Sequence, residues 1–181
     1  MNSDRSFSVS GGFLIISALL LLVVPLPWLI ASLVAAAFHE LCHWIMLRVL
    51  CGKGHPVRIG LSGAYMQAQN LSRGRELLCS LAGPVGGLSL LLVGRWMPRT
   101  TFCAVAQSIY NLLPIYPLDG GRALQSLLSI GLTPPMAEKA MVVVSFVCKI
   151  GLFILAFYAC LVLKFGLLPL LLALLLLIRT K

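Results

Sequence analysis

The apolar positions of this chain cluster in long runs instead of alternating with polar ones. Six runs can be drawn, over 11 to 24, 27 to 50, 74 to 94, 100 to 114, 136 to 163 and 165 to 178. Runs of about 20 apolar residues suit helices that cross a bilayer, and the first and last are short for one. Pro25 and Pro27 place a turn between the first two runs, because proline removes a donor and turns the preceding residue away from helix. The stretch from Cys51 to Ser72 differs from the rest. Gly52, Gly54, Pro56, Gly60 and Gly63 punctuate it, and Val57, Ile59 and Leu61 alternate with polar or small residues. A period of two reads as a short strand or hairpin near the membrane surface, and glycine punctuation reads equally as a polar loop. As a strand, its open edge could hold an extended peptide.

Composition turns this pattern into a fold class. With 60% hydrophobic residues, 10% charged residues and a mean hydropathy of +1.01, the chain is outside the range of soluble domains and is expected to be an all-α polytopic membrane protein. A length of 181 residues accommodates about six transmembrane helices with short connections. The expected organisation is one membrane-embedded domain over 1–181: a tail and anchor helix over 1–24, a core over 27–130, and C-terminal helices over 136–181.

The formal charge of +9 does not indicate nucleic acid, since the basic residues lie between and beside apolar runs. There they orient helices in a bilayer. With the N-terminus in the cytoplasm, Arg5, Arg48, Lys53, Arg58, Arg73 and Arg75 fall on the cytoplasmic side with Arg122, Arg179 and Lys181, while Arg95, Arg99 and Lys164 fall opposite. Both termini are therefore expected inside. No small-residue cleavage site follows the first run, so it is expected to remain as an anchor. The 6 cysteines have spacings that fit neither a zinc ribbon nor a disulfide framework, and read as small buried residues. Lys149, within the fifth run, either snorkels or faces a polar cavity.

Candidate chemistry is concentrated in the second run. His39, Glu40 and His43 form His-Glu-x-x-His, and ionisable groups are costly at membrane depth. On a helix, residues i and i+4 lie within about 40° of one another, one turn apart. The two imidazoles then make a metal clamp, and the glutamate beside it can reach a water held on zinc. At 1.5 Å per residue His39 lies about 16 Å before Leu50, below the cytoplasmic surface and off the midplane. Cys42, inside the pattern, reads as a small filler or as a residue near the metal. Zinc with two histidines needs a third protein ligand and an open position. With Asp4 set aside in a polar tail, Glu76, Asp119, Glu138 and His55 are the remaining candidates. Asp119 stands out because Pro114 and Pro117 precede it and Gly120 and Gly121 follow, so the helix must break there. Broken helices at membrane depth often mark sites. As an alternative, Asp119 caps the helix that begins near Gly120.

Asn111, Pro114, Pro117, Leu118, Asp119, Gly120, Gly121 and Arg122 spell Asn-x-x-Pro-x-x-Pro-Leu-Asp-Gly-Gly-Arg. Together with His39, Glu40 and His43, this resembles the site-2 protease family of membrane-embedded zinc metalloproteases. The resemblance covers roughly residues 27 to 130 and includes Leu81, Ala82, Gly83 and Pro84, which match an Ala-Gly-Pro element between the two motifs. It implies that His39, His43 and Asp119 bind one zinc ion, that Glu40 is the catalytic base and acid, and that Asn111 lies near the substrate carbonyl or oxyanion. Two positions depart from the family pattern: Cys42 stands where glycine is common, and Gly87 where asparagine is common. The compact layout is similar to the branch that processes bacterial sporulation factors, with no room for an appended PDZ or CBS domain.

The expected function is therefore an intramembrane zinc endopeptidase that cuts a membrane-associated protein within or near its transmembrane segment. Its setting would be a bacterial cytoplasmic membrane, and its partners a protein substrate, lipid and a regulatory membrane partner of unknown identity, with no nucleic acid. A zinc-binding membrane chaperone or adaptor of the same fold, without cleavage, is the alternative; Glu40 argues against it, since a structural site needs no base. A metal or solute transporter is a third reading, disfavoured by the absence of an internal repeat.

Overall fold

Proline stands at the start of three of the described helices. In the computed structural model, which describes residues 8–9, 24–51, 57–60, 63–66, 72–161 and 174, helix α1 (Leu26–Cys51) opens just after Pro25, with Pro27 in its first turn, where an N–H would have no intrahelical partner anyway. The Pro25 carbonyl accepts from the N–H groups of Trp28 and Leu29 at 2.9 and 3.2 Å. Helix α2 (Arg73–Ser89) follows Ser72 and passes through a short 3-10 turn, Leu90–Val93. Helix α3 (Pro98–Asn111) begins on a proline, as does α5 (Pro134–Leu161), and α4 (Asp119–Gly131) lies between them.

Among the described residues, three segments are long and apolar enough to cross a membrane: Leu26–Leu50, Arg73–Val93 and Pro134–Leu161. They correspond to the second, third and fifth expected runs. The fourth run forms the shorter α3, about 21 Å long at 1.5 Å per residue, and stops at Asn111 before the prolines. The first and sixth runs lie outside the described residues apart from Val24 and Leu174, as do Asp4, His55, Lys53, Lys164, Arg179 and Lys181. The chain is an integral membrane protein with a predominantly helical fold.

Among the described residues, three short strands accompany the helices: β1 (Ser8–Val9), β2 (Val57–Gly60) and β3 (Gly63–Met66). β2 pairs antiparallel with β3, with Val57 opposite Met66 and Gly60 opposite Gly63, and parallel with β1 at Arg58 and Ile59. The strand order is β1-β2-β3. This corrects one expectation: Val57–Gly60 is the central strand and not an open edge, while Leu61 lies outside the described residues. Its backbone at Arg58 and Ile59 is flanked on both sides, and among the described residues β3 is an outer strand.

The chain divides into two units, Met1–Tyr110 and Asn111–Lys181. In the first, α2 packs against both α1 and α3 through small residues. Lipid is as apolar as leucine, so membrane helices associate through close packing and polar contacts, and small residues permit that approach. α1 buries Ala31, Ala35 and His39 at four-residue intervals, and α2 buries Ser80, Gly83, Pro84 and Gly87. A Cβ on Gly86 would strike Cys42 Sγ, and one on Gly87 would strike Ser108 Oγ on α3. Both departures from the family pattern are thus used in packing: the Cys42 thiol fills the space over Gly86, and Gly87 admits the Ser108 hydroxyl. Trp28 and Phe102 add an edge-to-face contact between α1 and α3, ring centroids 5.8 Å apart.

In the second unit, the segment between α3 and α4 lies against α5. Ile115 and Leu118 are buried and pack with Leu113, Cys148 and Leu152. The Tyr116–Pro117 peptide is cis. Gly120 and Gly121 let the start of α4 cross this segment. A Cβ on Gly120 would strike the Leu112 carbonyl and lie 2.7 Å from that of Leu113, and a Cβ on Gly121 would lie 2.5 Å from the Ile115 carbonyl. The obstacles are backbone atoms, which cannot swing aside as a side chain can.

Candidate metal centre

The helical period brings His39 and His43 together as their spacing requires. Their rings meet edge to face with centroids 4.8 Å apart, and the two Nε2 atoms face one another at 3.1 Å. His39 is buried; Glu40 and His43 are half-buried. His43 Nδ1 donates to the Cys79 carbonyl on α2 at 2.7 Å. A carbonyl can only accept, so the Nδ1 of His43 carries a proton, and in the neutral tautomer that makes this bond the lone pair is at Nε2. Fixing a ligand histidine through its other nitrogen is the usual outer-shell device of metal sites.

The same turn of α2 leaves space in front of the two nitrogens. A Cβ built on Gly83 would strike His43 Nε2 and lie 2.6 Å from His39 Nε2. Pro84, next in sequence and buried, has no N–H to offer the Ser80 carbonyl four residues back. The donor set fits zinc: two imidazole ligands at about 2.0–2.1 Å in tetrahedral array stand roughly 3.3 Å apart, close to the 3.1 Å separation of the pair. Lone pairs facing each other at that distance repel unless a proton or a cation lies between them.

The other expected site residues belong to the second unit. Asp119 is half-buried and is the first residue of α4. The residue at the cap position is Leu118, which has no side-chain cap, so Asp119 is not the cap of this helix. Asn111, half-buried, ends α3. Of the rival ligands, Glu76 pairs with Arg73 at 3.3 Å in the first turn of α2, and Glu138 is exposed on α5. Lys149 is half-buried on α5.

No protein-family model matches the sequence, and neither does any curated protein. A solved structure does match: the site-2 protease from Methanocaldococcus jannaschii superposes with a TM-score of 0.59 at 21% sequence identity, covering 91% of this chain and 82% of that one. The chain has a site-2 protease fold. Sequence reasoning missed two groups in this setting. The Cys79 carbonyl is a backbone atom and leaves no mark in a side-chain pattern. Gly83 was visible only as part of a motif, whereas its use comes from what stands across from it.

Proposed function

We propose that this chain is an intramembrane zinc endopeptidase that cleaves a membrane-associated protein within or beside its transmembrane segment. The observation that carries the reading is the facing pair of Nε2 atoms at 3.1 Å, with His43 oriented by the Cys79 carbonyl, in a chain with the fold of a site-2 protease. Asp119 is assigned as the third ligand beside His39 and His43, because two histidines with one carboxylate are a ligand set of catalytic zinc.

His39, His43 and Asp119 would hold the zinc, which would supply Lewis-acid activation of water and of the scissile carbonyl. The Glu40 carboxylate, one residue from the first ligand, takes the proton of the attacking water and returns it to the leaving amine. Asn111 donates from its amide to the developing oxyanion. His43 keeps its proton on Nδ1 throughout, held by the Cys79 carbonyl. A helical substrate must unwind first, because carbonyls locked in helical hydrogen bonds cannot be reached.

The reading includes six transmembrane helices in one catalytic domain, in a bacterial cytoplasmic membrane with both termini inside. It also includes a protein substrate and a regulatory membrane partner. What supports the orientation is the asymmetry of basic residues. Reporters fused at Gly54 and after Lys181 should behave as cytoplasmic and one at Arg99 as external; the reverse pattern would invert the topology. Activity is tested with full-length protein in proteoliposomes carrying a candidate membrane substrate. The unmodified chain should cut it and Glu40→Gln should not, while both contain zinc. Zinc binding without cleavage of any candidate substrate would favour the chaperone or adaptor reading.

A further inference from the structure

Ser145 is the polar member of the buried face of α5, where its buried companions are Ala137, Met141 and Ala156. A hydroxyl at this depth needs a reason, since it must find partners in a medium that supplies none. It has two. The Ser145 hydroxyl donates to the Pro114 carbonyl at 3.3 Å and accepts from the Tyr116 N–H at 3.5 Å. One side chain thus serves two backbone groups of the broken segment that leads into Asp119. These are groups that the segment does not serve itself: its own short bonds run from the Ile115 N–H to the Leu113 carbonyl and from the Leu118 N–H to the Ile115 carbonyl, both 2.8 Å.

The contacts around Ser145 make the coupling to Asp119 direct. Ile115, between the two bonded residues, is fully buried, and it packs with Cys148 and Leu152 of α5. Ser145, Cys148 and Leu152 follow a spacing of three and four, one stripe of a helix. On the other side of the segment, the Ile115 carbonyl and the Tyr116 nitrogen stand against Gly121, two residues after Asp119. The broken segment is therefore pinned between the α5 stripe and the first turn of α4. A shift at Pro114 to Tyr116 is passed to Gly121 through backbone contacts that have no slack.

We propose that Ser145 is a positioning residue for the carboxylate of Asp119: its hydroxyl fixes the register of the broken segment on α5 and so the place of Asp119 as a metal ligand. This rests on the reading of Asp119 as a zinc ligand. Without the hydroxyl, the Pro114 carbonyl and Tyr116 N–H must find other partners, and the segment moves to do so.

The test uses the full chain in detergent, with zinc affinity measured by competition against a chromogenic chelator and the melting temperature of the metal-free protein measured beside it. Ser145→Thr and Ser145→Val have nearly the same shape and differ in the hydroxyl. Ser145→Val should bind zinc about tenfold more weakly, the low end of what outer-shell partners of metal ligands contribute, and Ser145→Thr should bind like the unmodified chain. A purely structural role would lower the metal-free melting temperature of Ser145→Val and leave its zinc affinity unchanged; that result would overturn the inference, as would equal weakening in both variants. Asp119→Ala separates the two levels. Affinity lost in Asp119→Ala but kept in Ser145→Val defeats the positioning role alone, whereas affinity kept in Asp119→Ala defeats the ligand reading and this inference with it.

Discussion

The histidine clamp and the Asp119 region are built by opposite means. His39 and His43 stand on one uninterrupted helix, where a spacing of four residues brings the rings together without help from the rest of the chain. Asp119 opens a helix that follows a break of non-helical backbone, and its place depends on Ile115, Leu118, Ser145 and the bare backbone at Gly120 and Gly121. A side chain on a regular helix inherits its geometry from the period; one beside a break takes it from packing. The clamp should therefore be sensitive to what enters the space in front of it, and the Asp119 region to anything that loosens its supports.

The largest expected effect is chemical and falls on the clamp side. Glu40→Gln should reduce cleavage by about 100-fold or more, the typical contribution of a general base, with zinc content unchanged at about one per chain. His39→Ala, His43→Ala and Asp119→Ala should each deplete zinc, measured by metal analysis of the purified chain. Cleavage surviving in Glu40→Gln would remove the carboxylate from the mechanism.

Next comes the space before the clamp. Gly83→Ala places a methyl group against both Nε2 atoms, so zinc occupancy should fall sharply while helix content by circular dichroism stays near that of the unmodified chain. Full occupancy in Gly83→Ala would mean that α2 can back away from α1, and that the clamp is less confined than the packing implies.

The supports of Asp119 are expected to respond in stability. Ile115→Ala should cost about 2 to 5 kcal/mol, the range for emptying a buried aliphatic site, and Gly120→Ala should also destabilise, since its new methyl meets main chain. Unfolding measured in detergent would show it. If Ile115→Ala were silent in stability and in zinc content, the contrast between the two regions would collapse.

The smallest effect sharpens the ligand assignment. Glu76→Gln breaks a partly exposed pair with Arg73 and should change stability by less than about 1 kcal/mol with no change in zinc. Zinc lost from Glu76→Gln and retained in Asp119→Ala would exchange their roles.

Much of this was legible before any coordinates. Apolar run length gave the three described spanning segments, because a bilayer imposes a length that composition records directly. The prolines marked where α1 begins and where α3 must end. The alternation at Val57 to Leu61 allowed a strand as readily as a loop and said nothing of its place in a sheet: which neighbours a strand acquires depends on distant residues, here Ser8 and Val9, and local pattern cannot see them. Gly86 and Gly87 were readable as small, and only the facing helices show that one accommodates a thiol and the other a hydroxyl.

What the sequence by itself determined is the membrane-embedded helical class and the pairing of His39 with His43, since both follow from composition and from a period that acts within a single helix. Tertiary structure alone decided which nitrogen of His43 carries the proton, why residue 83 has no side chain, and how a serine on α5 comes to hold the chain ahead of Asp119. Each of those depends on a backbone atom or an empty volume contributed by a different helix, and neither leaves a periodic trace in the order of side chains.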